Sequence, residues 1–184
     1  MRVALRLEGY AEQMGLEIAA SHLDLRENPG AIEQIEPARL HRPLRGLLAA
    51  LNSEETVYAT VACHTWGKPE SGASEAAEFG SSVDVIFALQ RQNFERERYD
   101  SLANGLRDLL EQETGGESMA AEICVLRCAY RGSRSPAYAL RLILTGRGST
   151  PTQAELRWGL GLAHLQKALL YLSRNLRQRQ ASTN

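Results

Sequence analysis

The chain has 184 residues, of which 43% are hydrophobic and 23% are charged. This balance is close to that of ordinary globular domains and excludes a fibrous or intrinsically disordered chain. The length predicts one domain, residues 1–184, with a sizeable core. The net charge of −1 hides a division: ten basic and two acidic residues from Met119 onward, against eleven basic and twenty acidic residues before it. Such a division indicates an anionic partner, or neutralisation of one half by the other.

The sequence shows neither a membrane-spanning segment nor a secretory signal, and its cysteines do not form a metal or disulfide pattern. No apolar run approaches the roughly 18 residues of a membrane helix, and the first residues lack the pattern of a secretory signal. The three cysteines lie in apolar, strand-like stretches, where buried free thiols are expected. We therefore expect a cytoplasmic protein that has no membrane contact and needs no cofactor or metal.

The N-terminal segment, residues 1–53, is predicted to be mainly helical. Val3, Leu5 and Leu7 alternate as in a strand, whereas a helical stripe runs from Leu7 to Leu25. These patterns favour a short strand or helix start that leads into a helix ending near residue 28. Leucines at helical spacing then predict a helix over about residues 43–51, with proline in its first turn.

The segment 54–184 is predicted to follow the order ββαββα. Two strands rich in β-branched residues, at 55–67 and 81–90, are separated by a loop at 67–81 whose carboxylates we expect to be solvated. A leucine stripe predicts a helix from about residue 94 to the Gly-Gly pair at 115 and 116. A hairpin around the turn RGSRSP and a long C-terminal helix capped by Thr150 follow, with Gln153 in the capping-box position.

This order predicts an α+β domain in which helices cover one face of an antiparallel sheet. It resembles the layout of a circularly permuted ferredoxin-like fold and, with one or two helices in front, that of type III secretion chaperones. Because layout does not determine function, the resemblance implies an architecture alone.

Catalytic chemistry finds little support among the reactive side chains. Cys124 and Cys128 on a strand lie about 13 Å apart, too far to bind one zinc ion. Cys63 and His64 are neighbours, so a strand points them to opposite faces and prevents a nucleophile–base contact. A Gly- and Ser-rich loop does not hold two carboxyl groups in the distinct environments that acid–base catalysis needs. We predict that the protein is not an enzyme.

The hairpin gives the sharpest prediction. A turn centred near Arg134 places Arg127 opposite Arg141, with the hairpin cysteines and leucines on the core face. Parity then puts four arginines on one outward face: Arg127, Arg131, Arg141 and Arg147. Opposed like charges destabilise a sheet, so this face is solvated, covered by a protein segment, or bound to an anion. Arg147, beside a helix start where anions bind well, is the first place to look.

The C-terminal helix carries an apolar stripe at alternating spacings of four and three: Trp158, Leu162, Leu165, Leu169, Leu172 and Leu176. Further leucines widen the stripe beyond a single seam. Either the helix packs wholly on its own sheet, or it mediates a homodimer.

Three functional hypotheses follow. The leading one is a non-enzymatic binding or assembly module, expected to be a homodimer, that contacts an acidic protein partner through the arginine face. The alternative is a nucleic-acid-binding protein that uses the basic C-terminal half, although RNA-binding aromatic motifs are missing. A second alternative is a small enzyme with Arg127, Arg141 and Arg147 as an anion clamp, for which no nucleophile, base or metal set is recognisable.

Overall fold

The structure is a computed structural model that describes residues 1–7, 17–18, 23–68, 77–112, 118–130 and 133–182. Its class is mixed α+β, as predicted. The helices and strands are, in chain order, β1 (Arg2–Arg6), β2 (Glu17–Ile18), α1 (Glu36–Leu40), α2 (Arg42–Leu51), β3 (Tyr58–Lys68), β4 (Ala77–Phe87), α3 (Arg96–Glu111), β5 (Met119–Tyr130), β6 (Ala137–Gly148) and α4 (Pro151–Ala181). Short 3-10 helices precede α1 and α3, at Pro29–Gln34 and Gln90–Phe94.

Five strands form the sheet in the order β1-β5-β6-β4-β3, and the two-residue strand β2 also pairs with β5. The pairs β3/β4, β4/β6 and β5/β6 are antiparallel, whereas β1 runs parallel to β5. The sheet is therefore mixed, and the prediction of an antiparallel sheet is wrong at this edge. A hydrophobic pattern identifies a strand but not its partner, and β1 pairs with a strand more than a hundred residues further along the chain.

The N-terminal predictions are changed in part. The first residues form the strand β1, and Ile18 lies in β2 rather than in a helix. Residues 23–28, where the predicted helix should end, contain a turn and no helix. The remaining residues of that helix, 8–16 and 19–22, lie outside the described residues. The helix expected at 43–51 is present as α2. The loop expected at 67–81 is shorter, because β3 runs to Lys68 and β4 begins at Ala77.

The helices pack on one side of the sheet, which we call the helix face. α4 lies across β6 and β4, α3 packs toward β1 and β5, and α2 toward β3. The core between these layers contains buried side chains such as Val83, Val85, Leu140, Leu142, Leu106 and Leu47. Because successive strand residues point to opposite sides, the alternate positions form a second side, the outer face.

The start of α4 is closely joined to the end of β6. A Cβ atom on Gly146 would lie only 2.3 Å from the carbonyl oxygen of Ala154 and 2.3 Å from the backbone nitrogen of Trp158. Only glycine therefore lets the helix backbone approach the strand so closely. The glycines of the stretch LTGRGSTP serve packing within β6 and not a separate loop.

Thr150 caps α4 as predicted. Its side-chain oxygen accepts a hydrogen bond from the backbone N–H of Gln153 at 3.2 Å. The Gln153 side chain accepts from the N–H of Ser149, one residue further back than the capping box expects. Within the described ranges, no helix is long and apolar enough to cross a membrane.

Candidate functional site

The register of the β5/β6 hairpin separates the arginines that were predicted to lie together. Arg127 lies opposite Tyr138, and Cys124 lies opposite Arg141. This pairing is displaced by three residues from the predicted one. Because side chains alternate with a period of two, an odd displacement exchanges the two faces of one strand relative to the other. Arg127 and Arg141 therefore lie on opposite faces of the sheet, and the predicted four-arginine face does not form.

The observed register is the one that buries the larger apolar side chains against the helices. It places Val125 opposite Leu140 and Ile123 opposite Leu142, and all four are buried in the main core. The predicted register would have placed the hairpin cysteines there. They are buried as well, but on the outer face. Burial alone thus did not distinguish the two faces of β5.

Arg141 is neutralised within the protein. Its Nε and Nη2 atoms donate to the two carboxylate oxygens of Asp84, each at 2.7 Å. The two residues lie opposite each other on β6 and β4, and their side chains are only 13% and 3% exposed. Two-pronged pairing of this kind is strong and geometrically specific. It occupies the face of the guanidinium that an anionic ligand would use.

Arg147 is the member of the predicted arginine set that remains accessible on the outer face. Its Nε atom donates to a carboxylate oxygen of Glu78 at 3.0 Å, and its side chain is largely exposed. Glu78, expected in a solvated loop, is part of β4. Arg127 is exposed near the hairpin end of β5. Arg131 lies outside the described residues.

The apolar stripe of α4 packs on the protein's own sheet. Trp158, Leu162, Leu165 and Leu169 are almost completely buried in the main core, and Leu172 and Leu176 pack against it while partly exposed. The four buried side chains are therefore not available to a second copy. A dimer surface would need other residues.

The opposite, solvent-facing side of α4 carries the candidate site. Its large apolar members are Leu156, Leu160 and Tyr171, which are 65%, 51% and 53% exposed. Lys167 and Arg174 are also exposed, and the five residues follow one another at spacings of four, seven, four and three, so that all five lie along one line of the helix. We call these five residues the outer row of α4. From Leu156 to the end of the helix the sequence contains no acidic residue.

Two arginines beside the outer row add to its positive charge. Arg157 donates to the carbonyl oxygen of Arg147, and Arg177 donates to that of Glu54 at 3.2 Å. Within the described part of the chain neither arginine has a carboxylate partner. Leu156 and Leu160 are among the further leucines that widen the apolar stripe in the sequence. Their offset from Trp158 and Leu162 was the signal that they belong to a different face.

The thiols are poorly suited to nucleophilic chemistry. Burial raises the pKa of Cys63 to about 11 and the pKa of Cys124 and of Cys128 to about 12. Thiols with such pKa values are protonated, and therefore weak nucleophiles, at neutral pH. Cys63 packs against the main core, whereas His64 is exposed on the other face, in agreement with the prediction that the two do not interact.

No cluster of three His, Cys, Asp or Glu side chains suited to a metal ion is found in the described ranges. Comparison of the chain with protein-family models, curated proteins and solved structures finds no match. The candidate site is therefore defined by its own geometry and charge.

Proposed function

We propose that the protein is a binding module that docks an acidic segment of a protein partner on the outer row of α4. The observation that carries the proposal is the combination of three exposed large apolar side chains with two cations along one helical line. Leu156 and Leu160 lie one helical turn apart, and neighbouring exposed apolar side chains framed by polar residues are typical of interaction surfaces. Isolated exposed leucines would need no such explanation.

The two kinds of side chain have different roles in such a complex. Burial of Leu156 and Leu160 on binding provides the hydrophobic contribution, about 1.5–3 kcal/mol for each fully buried side chain. Association costs offset part of that gain. Lys167 and Arg174 select acidic partners and accelerate their encounter. The fitting partner is an amphipathic segment with apolar anchors and flanking Asp or Glu residues.

The charge of the outer row favours such a partner over a second copy of this chain. A two-fold dimer brings the same surface patch of both copies together. Lys167 lies toward the middle of the row, so two copies paired along it would oppose like charges. Like-charge contacts across an interface are costly. The outer row therefore supports an acidic partner more than the homodimer that the sequence suggested.

The first test measures binding of labelled helical peptides by fluorescence anisotropy. One peptide presents leucines on one face with flanking glutamates, a second has lysine for each glutamate, and a third has serine for each leucine. We expect the first to bind best, with an affinity that falls as salt rises. Equal binding of the glutamate and lysine peptides would contradict the proposal.

The second test uses paired variants of the protein. We expect Leu156→Gln with Leu160→Gln to weaken binding of the acidic peptide by at least about tenfold, the equivalent of 1.4 kcal/mol. The matched control changes two exposed leucines outside α4, Leu23→Gln with Leu89→Gln, and should leave binding unchanged. Equal losses of binding in the two double variants would show that the peptide does not bind at α4. If the wild type has a dimeric native mass and Leu160→Gln is monomeric, the outer row mediates self-assembly and not the binding of an acidic partner.

A further inference from the structure

The outer face of the sheet carries a second feature that is separate from α4. On β3 the side chains of His64 and Trp66 form a near-parallel ring pair, with centroids 6.2 Å apart and planes inclined by 24°. Trp66 leans across the neighbouring strand over Gly80, where a Cβ atom would lie 2.5 Å from its Cζ2. Because only glycine leaves room for the indole there, the sheet is shaped to hold this ring on its outer face.

A row of small residues continues from this ring across the whole sheet. Trp66 pairs with Gly80, Gly80 with Thr145, Thr145 with Ala120, and Ala120 with Arg2. Five adjacent strands at about 4.8 Å spacing place the two ends of this row roughly 19 Å apart. The row thus has an aromatic ring at one edge of the sheet, a guanidinium at the other and small side chains between them. We call it the cross-sheet row.

The charge on both sides of the cross-sheet row favours an anionic ligand. Arg2 and Arg147 are exposed on the outer face. The described acids of this face form ion pairs with arginines: Asp84 with Arg141, Glu78 with Arg147 and Glu122 with Arg6. Among the described residues of the outer face, Arg2 is an exposed cation outside these three pairs, and the arginines outnumber the acids.

The geometry points to binding of single-stranded nucleic acid along the cross-sheet row, with a base stacked on Trp66 and a phosphate group at Arg2. Stacking on an aromatic side chain is available to every base and requires an unpaired strand. Thr145 and Ala120, which lie between the two ends of the row, are small and partly exposed. An extended peptide is recognised through pockets for its alternate side chains, whereas the cross-sheet row offers a ring face for stacking and a guanidinium for a phosphate group. This inference does not depend on the function proposed for α4.

Tryptophan fluorescence gives a direct readout. The chain has two tryptophans, and Trp158 is completely buried with its Nε1–H donated to Ser81 Oγ at 2.9 Å. Quenching by a stacked base therefore reports Trp66. We expect quenching by oligothymidine of about ten nucleotides, within the range of single-strand binding sites. We expect none by inorganic phosphate, by double-stranded DNA or by an acidic peptide.

Thymidine monophosphate distinguishes a single strand from a free nucleotide as the ligand, because both carry a base and a phosphate group. Saturable quenching that is much weaker than with oligothymidine supports a single strand as the ligand. Equally tight quenching would assign the site to a free nucleotide and overturn the role of Arg2. Absence of quenching by both would overturn the inference entirely.

Variants test the site through the anisotropy of labelled oligothymidine. Gly80→Ala keeps Trp66 but forces its ring to move, and we expect at least about tenfold weaker binding, the loss typical of one base–aromatic stack. Arg2→Gln should weaken binding and reduce the salt slope by about one, whereas Arg98→Gln, a matched change on α3, should do neither. Unchanged binding in Gly80→Ala, or equal losses in Arg2→Gln and Arg98→Gln, would overturn the inference.

The outer row of α4 supplies the remaining control. Lys167→Glu with Arg174→Glu should abolish binding of the acidic peptide and leave quenching of Trp66 by oligothymidine in place. If this pair removes oligothymidine binding while Gly80→Ala retains it, nucleic acid binds α4 and not the sheet. The two proposals can thus fail separately.

Discussion

Replacement of Asp84 by alanine tests the ion pair at the centre of the outer face. The change leaves the Arg141 guanidinium, whose side chain is only 13% exposed, without its carboxylate. Loss of one partner of a buried pair costs about 3–5 kcal/mol. Because Arg141 retains some solvent access, we expect the lower end, about 3 kcal/mol of unfolding free energy. For a chain of this size that corresponds to a fall in Tm of roughly 6–12 °C.

The assay is urea denaturation of the wild type, Asp84→Ala, Arg141→Ala and the double variant. We expect each single change to be costly and the double change to cost clearly less than the sum, because neither charge is then left unpaired. A loss below about 1 kcal/mol in Asp84→Ala, or additive losses, would show the pair to be a solvent-screened contact. The expected result would also show that Arg141 stabilises the fold and is not a free site for a partner.

Three further predictions concern the core and the thiols. The buried Tyr58 hydroxyl has no hydrogen-bond partner in the described structure, so Tyr58→Phe should leave Tm unchanged or raise it; a clear fall would reveal a missed partner. Gly146→Ala should lower Tm, because the added Cβ atom would contact the α4 backbone. Gly46 lies at an exposed helix position with open space around it, so Gly46→Ala should raise stability by up to about 1 kcal/mol. Similar effects of the two changes would contradict the packing argument. Burial raises the pKa of Cys63 to about 11, so the native thiol stays protonated at a pH where the unfolded one ionises. Stability measured by urea titration should therefore fall as pH rises from about 9 to 11, and thiol reagents should react faster with unfolded than with native protein.

Several local features could be read directly from the sequence. Helix α2 and the cap at Thr150 follow from leucine spacing, proline position and turn chemistry, which act over a few neighbouring residues. The separation of Cys63 and His64 follows from strand alternation alone. Such features depend on the order of residues and not on which distant segment packs against them.

The hairpin shows why the candidate site could not be predicted in the same way. Both faces of β5 are apolar over much of their length, so alternation did not decide which face meets the helices. An error of three residues in the pairing was then enough to move Arg127 to the opposite side from Arg141. The partner of Arg141 was also hidden, since Asp84 is more than fifty residues away and reaches it only through the β4/β6 register.

By itself, the amino-acid sequence determined a composition typical of globular domains, the main helices and strands, and a strong excess of basic residues after Met119. Only the tertiary structure decided which of those charges are neutralised and which apolar residues remain exposed. Trp158 is buried against the sheet while Leu156 and Leu160 of the same helix face solvent. The physical reason is that secondary structure arises from short-range geometry, whereas burial and ion pairing depend on long-range packing. An apolar pattern that covers more than one face of a helix or strand does not determine which face is packed.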